Sequence, residues 1–370
     1  MNINLKLIAA SNIIAVSSNA LWIMYIQYFL LDLGISKTQI GLIFTLALLM
    51  RAFGNIIGGK IADLLGYNRT LLIGYTIYAF PPLLILLHNA LLASLVYPLM
   101  SLGSGIGTPA KSLFIVEQAQ SRKGLTYMLV QRVLPSIPPA LTAPVGAKLY
   151  EMGKYDVAVF IGFFGLLISL LLLVFLKDTK RERAQNLFNF NLLRSRPFTL
   201  IIFLYSLDTF STEAVQWIVP IYLREIGYSV LDYGFLISAQ TLVIAFGGTF
   251  AGAFVDRYSP VSALGLSYLV VAMSLLAFSL GKGWILALAY LLWKTFGMIG
   301  FAALPLLIER YFSDIKASAF GTINAMTTLV SIPAPSFGGF LLGFGVKAPF
   351  VFKAVMNSVA STMLFRLKRY

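Results

Sequence analysis

Six ionisable side chains fall inside long apolar runs of this chain: Arg51, Lys111, Arg132, Asp208, Glu213 and Lys294. Counted from the inner ends of their runs at ~1.5 Å per residue, Arg51 lies ~18 Å deep, Asp208 ~17 Å, Lys294 ~22 Å, Glu213 ~24 Å, Arg132 ~12 Å and Lys111 ~9 Å. A charge near the middle of a bilayer costs ~2.5 kcal/mol or more, so each should face protein or water and find a partner. Three kinds of chemistry fit this set. Asp208 or Glu213 can carry a proton, since a carboxylate that alternates between a dry and a cation-paired setting takes up and releases one as its surroundings change. Arg51, Arg132 and Lys294 can bind an anionic group, because the embedded charges are mostly basic. Asp208 can form a purely structural ion pair with Lys294 or Arg51. Lys111 is read as partly snorkelling, and Lys148 and Lys353 as snorkelling to the outer surface.

Neutral polar residues extend the set. Thr209, Thr212, Glu213 and Gln216 share one face of their helix, and so do Asn12 and Asn19 with Ser11, Ser18 and Trp22. Trp217 and Trp293 can supply apolar walls. Cysteine is absent, which excludes disulfides and thiolate metal sites. The single histidine, His88, sits beside Asn89 at a predicted helix end and reads as an interfacial residue. No Gly-rich phosphate loop, His-rich metal site or paired-aspartate diphosphate motif occurs. The expectation is therefore no catalytic residue, no metal, no cofactor and no nucleotide-driven pump. A channel or scramblase differs from a carrier by passive rather than saturable flux.

The elements that hold these charges follow from composition. Of 370 residues, 59% are hydrophobic and 11% charged, against about 25% charged in a soluble protein. Mean hydropathy is +0.85, so the solvent for most of the chain is lipid. The reading is twelve spans, at 7–33, 38–63, 69–89, 91–116, 124–150, 155–176, 197–224, 229–256, 260–281, 283–308, 317–344 and 348–367. The first of these is too long for a signal-peptide core. The net charge of +14 does not point to nucleic acid, because Lys and Arg punctuate the ends of apolar runs. They gather at Lys6, Lys60, Arg69, Arg122, Lys123, the 177–196 segment, Arg257, Arg310, Lys316, Arg366, Lys368 and Arg369. That asymmetry puts both termini and the central loop on the cytoplasmic side. Leu187, Phe188, Phe190, Leu192 and Leu193 of that loop can lie flat on the membrane.

The chain also repeats itself. Gly34, Ser36 and Gly41 recur at one constant offset as Gly227, Ser229 and Gly234, with Asp32 and Glu225 two positions ahead of the first glycine. The same offset carries Gly59 and Asp63 onto Gly252 and Asp256. An offset one residue shorter carries Gly146, Leu149 and Gly153 onto Gly338, Leu341 and Gly345. Ser136-Ile137-Pro138 is echoed by Ser331-Ile332-Pro333. A duplicated half in so apolar a chain points to two related bundles. The halves are 1–176 and 197–370, joined by a cytoplasmic linker at 177–196. Gly103, Gly105 and Gly107 in the fourth span should allow close helix contact, and Pro135, Pro138, Pro139 and Pro144 should bend the fifth.

On these residues the chain resembles the major facilitator superfamily. The most specific piece is Gly59-Lys60-Ile61-Ala62-Asp63-Leu64-Leu65-Gly66-Tyr67-Asn68-Arg69, similar to that family's loop 2–3 signature, with a pseudo-repeat at Gly252-Ala253-Phe254-Val255-Asp256-Arg257. The resemblance implies an all-α polytopic membrane protein of two pseudo-symmetric six-helix bundles, working as a secondary transporter of a small solute in the cell membrane. It also implies a monomer among lipids, with no enzyme activity and protons as the coupling ion. A multidrug or organic-solute exporter is one reading, and a carrier of small organic anions recognised by embedded Arg and Lys is the other. The implied substrate and proton site is Asp208, Glu213, Arg51, Lys294, Arg132, Thr212, Gln216, Asn19 and Trp22. The implied cytoplasmic gate is Gly59, Asp63, Gly66, Arg69, Glu117, Arg122, Gly252, Asp256, Arg257, Glu309 and Arg310, in which Gly59 and Gly252 admit a neighbouring backbone and the acids latch onto arginines. Leu99 stands where the family often has an embedded arginine. The family's fifth-span antiport pattern is reduced here to Ala143-Pro144-Val145-Gly146-Ala147-Lys148.

Overall fold

The computed structural model describes residues 2–119, 126–127, 129–177, 194–312 and 316–367. Its helices are α1 (Ile3–Trp22), α2 (Ile26–Asp32), α3 (Lys37–Leu65), α4 (Tyr67–Ala79), α5 (Ala90–Gln118), α6 (Pro139–Glu151), α7 (Tyr155–Val174) and α8 (Arg196–Val215). They continue with α9 (Val219–Glu225), α10 (Val230–Arg257), α11 (Pro260–Leu280), α12 (Gly283–Tyr311), α13 (Lys316–Ser331), α14 (Ala334–Leu341) and α15 (Ala348–Leu367). Among the described residues, ten helical runs are long and apolar enough to cross a membrane. They coincide with ten of the twelve predicted spans. The fifth predicted span is a broken helix, with a π turn at Leu129–Val133 and a restart at Pro139, and its first residues lie outside the described ones. The twelfth is α15, 20 residues long, whose last side chains lie outside the described residues. Most of the central loop, with its apolar residues 187–193, lies outside the described residues.

Local chemistry explains the repeated glycines and serines. Gly34 and Gly227 close α2 and α9 with φ of +82° and +90°, a conformation costly for any side chain with a Cβ. The hydrogen bonds match: Ile35 N–H reaches Leu30 C=O at 3.0 Å, and Tyr228 N–H reaches Leu223 C=O at 2.9 Å. Ser36 then caps α3 in a reciprocal box with Gln39, and Ser229 forms the same box with Asp232. Replacing either serine by Ala should cost ~1 kcal/mol of stability. The thermal midpoints of the two variants should fall together, and a drop in only one would mean that the two boxes are not equivalent. The proline echo is also structural: α13 stops at Ser331 and α14 restarts at Ala334, as α6 restarts after Pro138.

The described residues divide into two compact units, Met1–Arg183 with Val219–Ala245, and Ala184–Ile218 with Phe246–Tyr370. In the first, α1 packs on α6 and α7, and α3 and α4 pack on α5. In the second, α8 packs on α14 and α15, and α11 on α12 and α15. The packing of α1 on α6 and α7 recurs as that of α8 on α14 and α15, and α4 on α5 recurs as α11 on α12. Large apolar side chains line the outside, as Phe160, Phe164, Ile168 and Leu171 do along α7. Water-driven burial cannot hold helices together in lipid, so close backbone approach and interhelical hydrogen bonds must. Gly146 sits on the carbonyl of Leu21, and Gly338 sits on that of Ala214. Ser11 and Ser169 exchange a 2.7 Å hydrogen bond between α1 and α7. The expected glycine contact in the fourth span is present, since a Cβ on Gly103 or Gly105 would strike the backbone of α4 or α3.

The expectation for Gly59 needs correction. A Cβ there would meet nothing within 4 Å, whereas Gly58 and Gly54 lie against the α5 backbone at Ile106 and Leu102. One residue turns a helix by ~100°, which rotates Gly59 away from the contact.

Candidate functional site

The polar residues of each unit gather on the helices that correspond under the repeat. Both α1 and α8 are interrupted after about five turns, by 3-10 turns at Ile23–Tyr25 and Gln216–Ile218. Polar side chains collect just before each interruption.

In the second unit the centre is an ion pair. Lys353 Nζ donates to Asp208 Oδ1 at 3.1 Å. It also donates to Thr212 Oγ1 at 2.7 Å and Ser211 Oγ at 3.4 Å. The Lys353 side chain is 1% exposed and that of Asp208 29%. Neither predicted partner of Asp208 holds this position, and Lys353 does not snorkel to the outer surface. Its helix carries Lys353, Asn357 and Ser361 at four-residue spacing, all three buried. A lysine heading such a stripe faces the bundle rather than the lipid. That spacing was legible in the sequence, and the lysine's nearness to a helix end masked it.

Around this pair, Gln216 Nε2 donates to Glu213 Oε2 at 2.7 Å. Lys294 lies 4.2 Å from the ring centroid of Trp293 and 5.2 Å from that of Tyr290, and it interacts electrostatically with Glu213 and Lys353. The structure thus brings Asp208, Thr212, Glu213, Gln216 and Lys294 to one region with Lys353. Asp208 and Lys353 can exchange a charge contact for a proton.

The first unit holds an open polar cleft of two adjoining recesses, about 440 Å³ and 610 Å³. Asn19 and Tyr78 line both. Lys111 Nζ donates to Asn12 Oδ1 at 3.2 Å and to Tyr75 OH at 3.3 Å, so this lysine belongs to the cleft. Arg51 lines the second recess. Asn19 Nδ2 donates to Tyr78 OH at 2.6 Å. Tyr75, Tyr78 and Lys111 were not predicted as site residues. Tyrosines on an otherwise apolar span were the available signal.

The remaining predicted site residues are placed differently. Trp22 is fully buried against Gly162 and lines neither recess, because bulk at a helix crossing is taken up in packing. Ser11 donates to the Ser169 carbonyl on α7, and Ser18 donates to the Ile14 carbonyl of its own helix. Arg132 lies exposed on the π turn.

In the gate region, Gly66 ends α3 with φ +92°, and Tyr67 OH donates to Glu117 Oε1 at 2.9 Å. This ties the motif loop to the end of α5. Arg69, Arg257 and Arg310 are exposed, the last two beside Tyr258 and Tyr311. Arg122, the surroundings of Gly252, and the side chains of Asp63, Asp256 and Glu309 lie outside the described residues.

The repeated acids do something the sequence did not announce. Asp32 pairs with Arg224 at 2.8 Å and Glu225 pairs with Lys37, within the first unit. Tyr150 OH donates to Asp32, and the Arg224 guanidinium lies 5.9 Å from the Tyr28 ring. Half-exposed pairs of this kind contribute at most ~1 kcal/mol each. His88 is exposed and bonds Asp156 at 2.9 Å.

Comparison with known proteins bears on what this arrangement serves. The family model of the Major Facilitator Superfamily matches residues 7–229 and 199–370. Multidrug resistance protein 2 of Bacillus subtilis is 27% identical over 157 residues, 41% of this chain and only 38% of that protein. Quinolone resistance protein NorA of Staphylococcus aureus is 22% identical over 361 residues, 92% of this chain and 90% of that one. The crystal structure of the nucleoside transporter NupG superposes with a TM-score of 0.82 over 100% of both chains at 14% identity. At that identity the likeness is one of fold.

Proposed function

The chain belongs to the major facilitator superfamily and is a membrane transporter rather than an enzyme, and from that premise we propose that it is a proton-coupled exporter of small organic solutes. The observation that carries this reading is the Asp208–Lys353 pair. A lysine removed from water needs a counter-charge. A proton arriving on Asp208 removes that charge and releases Lys353 to Thr212 and Ser211, which already share it. Such an exchange gives two states of α8 and α15 that differ by one proton, and a cycle of alternating access needs a switch of this kind. Glu213, Gln216 and Lys294 border the same region and complete the proposed site. The kinship with multidrug and quinolone resistance proteins supports an organic solute as cargo.

The proposed setting is the cell membrane, with both termini and the 177–196 linker cytoplasmic, the halves 1–176 and 197–370 acting as the two bundles, and the chain working as a monomer. The cytoplasmic gate is proposed at Asp63, Gly66, Arg69, Glu117, Arg122, Gly252, Asp256, Arg257, Glu309 and Arg310. The Tyr67–Glu117 hydrogen bond supports it.

The test uses proteoliposomes and a fluorescent quinolone. Accumulation in vesicles with an acidic interior should collapse on adding a protonophore. Asp208→Asn and Glu213→Gln should each lower gradient-driven uptake by about 100-fold, the scale of losing a proton-transfer group. Uptake that ignores the gradient, or that survives both substitutions at equal protein density, sinks the proton-coupled reading.

A further inference from the structure

The cleft of the first unit carries charges that no carboxylate answers among the described residues. Lys111 spends its hydrogen bonds on two neutral acceptors, Asn12 Oδ1 and Tyr75 OH. Arg51 lines the adjoining recess. Among the described residues neither cation has a carboxylate within ion-pairing distance, and neither recess has an Asp or Glu in its lining. In the second unit the opposite holds, since the buried Lys353 is met by Asp208. Arg51 is exposed and Lys111 half-buried, both on helices long and apolar enough to span a membrane, and a cation so placed without a protein acid attracts an external anion.

A second observation points the same way. Asn19 is 9% exposed, and its Oδ1 is buried with no hydrogen-bond partner. It lies between the two cations, in the lining shared by both recesses. A buried amide oxygen without a donor costs ~1–3 kcal/mol. The position repeat-related to Asn19 is Thr212, whose hydroxyl does have its partner in Lys353. The first unit therefore presents two positive charges and one unfilled acceptor in an open cleft.

We infer that this cleft is a subsite for an organic carboxylate that also carries an O–H or N–H donor. Lys111 and Arg51 take the carboxylate, and Asn19 Oδ1 accepts from the donor. This names the cargo class of the proposed transporter, and it rests on that reading. The division of labour is simple. The cation-rich first unit recognises the substrate's charge, while the carboxylates of the second unit handle the proton.

The experiment is equilibrium binding to the purified full chain in detergent, with no gradient present. The probes are 4-hydroxybenzoate and lactate, each against its neutral amide, 4-hydroxybenzamide or lactamide. Each acid should bind about tenfold more tightly than its amide, the scale of one charge-assisted hydrogen bond. Lys111→Gln and Arg51→Gln should each weaken acid binding by about tenfold while leaving the amide unchanged, and Lys111→Arg should restore it. Because binding is read with no gradient present, wild-type preference for acid over amide alongside uptake that ignores the gradient would separate this result from a failure of proton coupling. Equal affinity for acid and amide, no binding of either acid, or full acid affinity in folded Lys111→Gln and Arg51→Gln overturns the inference. Folding of each variant is checked by its ligand-free thermal midpoint.

Discussion

Asp208→Asn is expected to destabilise the protein by about 3–5 kcal/mol, the cost of stranding a buried charge. Lys353→Met should cost less, about 1–3 kcal/mol. The asymmetry comes from exposure. Asp208 is 29% exposed and can be hydrated or protonated when its partner leaves, while Lys353 at 1% has no access to water. Thr212 and Ser211 remain as neutral acceptors, and they cannot replace a negative charge. The double variant Asp208→Asn/Lys353→Met removes both charges and should recover most of the loss, because an apolar side chain is at home where the lysine stem already packs. Thermal unfolding of the four proteins in detergent gives the double-mutant cycle. A double variant no more stable than Asp208→Asn alone would show that the pair is not coupled. Stability and transport should then separate, with the double variant folded and uncoupled from the proton gradient.

Gly338→Ala and Gly146→Ala are expected to cost about 3 kcal/mol or more each, since a Cβ at either place meets a backbone carbonyl that cannot rotate aside. Gly59→Ala should do the reverse. Nothing lies within 4 Å of its Cβ position, and Ala is favoured over Gly in a helix by ~1 kcal/mol. The three substitutions are chemically identical, so the sign of the change reports only the packing. A thermal midpoint lowered as much by Gly59→Ala as by Gly338→Ala would contradict the contacts described for α3. The Gly146 and Gly338 variants should resemble each other, because α6 crosses α1 at Leu21 as α14 crosses α8 at Ala214.

The repeat links these results to what was legible beforehand. Helix ends are local events, governed by a glycine at positive φ and a serine reaching three residues ahead. Gly34, Ser36, Gly227 and Ser229 therefore announced their turns without any tertiary contact. Span positions are nearly as local, because a bilayer demands a fixed length of apolar helix. The family signature around Gly59–Arg69 and Gly252–Arg257 was legible for the same reason, as a spacing along the chain.

Which side chains meet is not local. It depends on how far each helix is rotated and which neighbour it faces, and a rotation of one residue moves a side chain by ~100°. Depth alone made Lys294 and Arg51 reasonable partners for Asp208 and made Lys353 a snorkelling residue. Packing of α15 on α8 brought Lys353 to Asp208 instead. The same rotation chose Gly58 over Gly59, buried Trp22 while leaving Asn19 in the cleft, and turned Lys111 toward Asn12 and Tyr75. The sequence alone determined that this is a duplicated membrane carrier with charges in its spans. Only the tertiary structure decided that Asp208 is answered by Lys353 while, among the described residues, no carboxylate pairs with Lys111 or Arg51, because that depends on three-dimensional neighbours that no periodicity encodes.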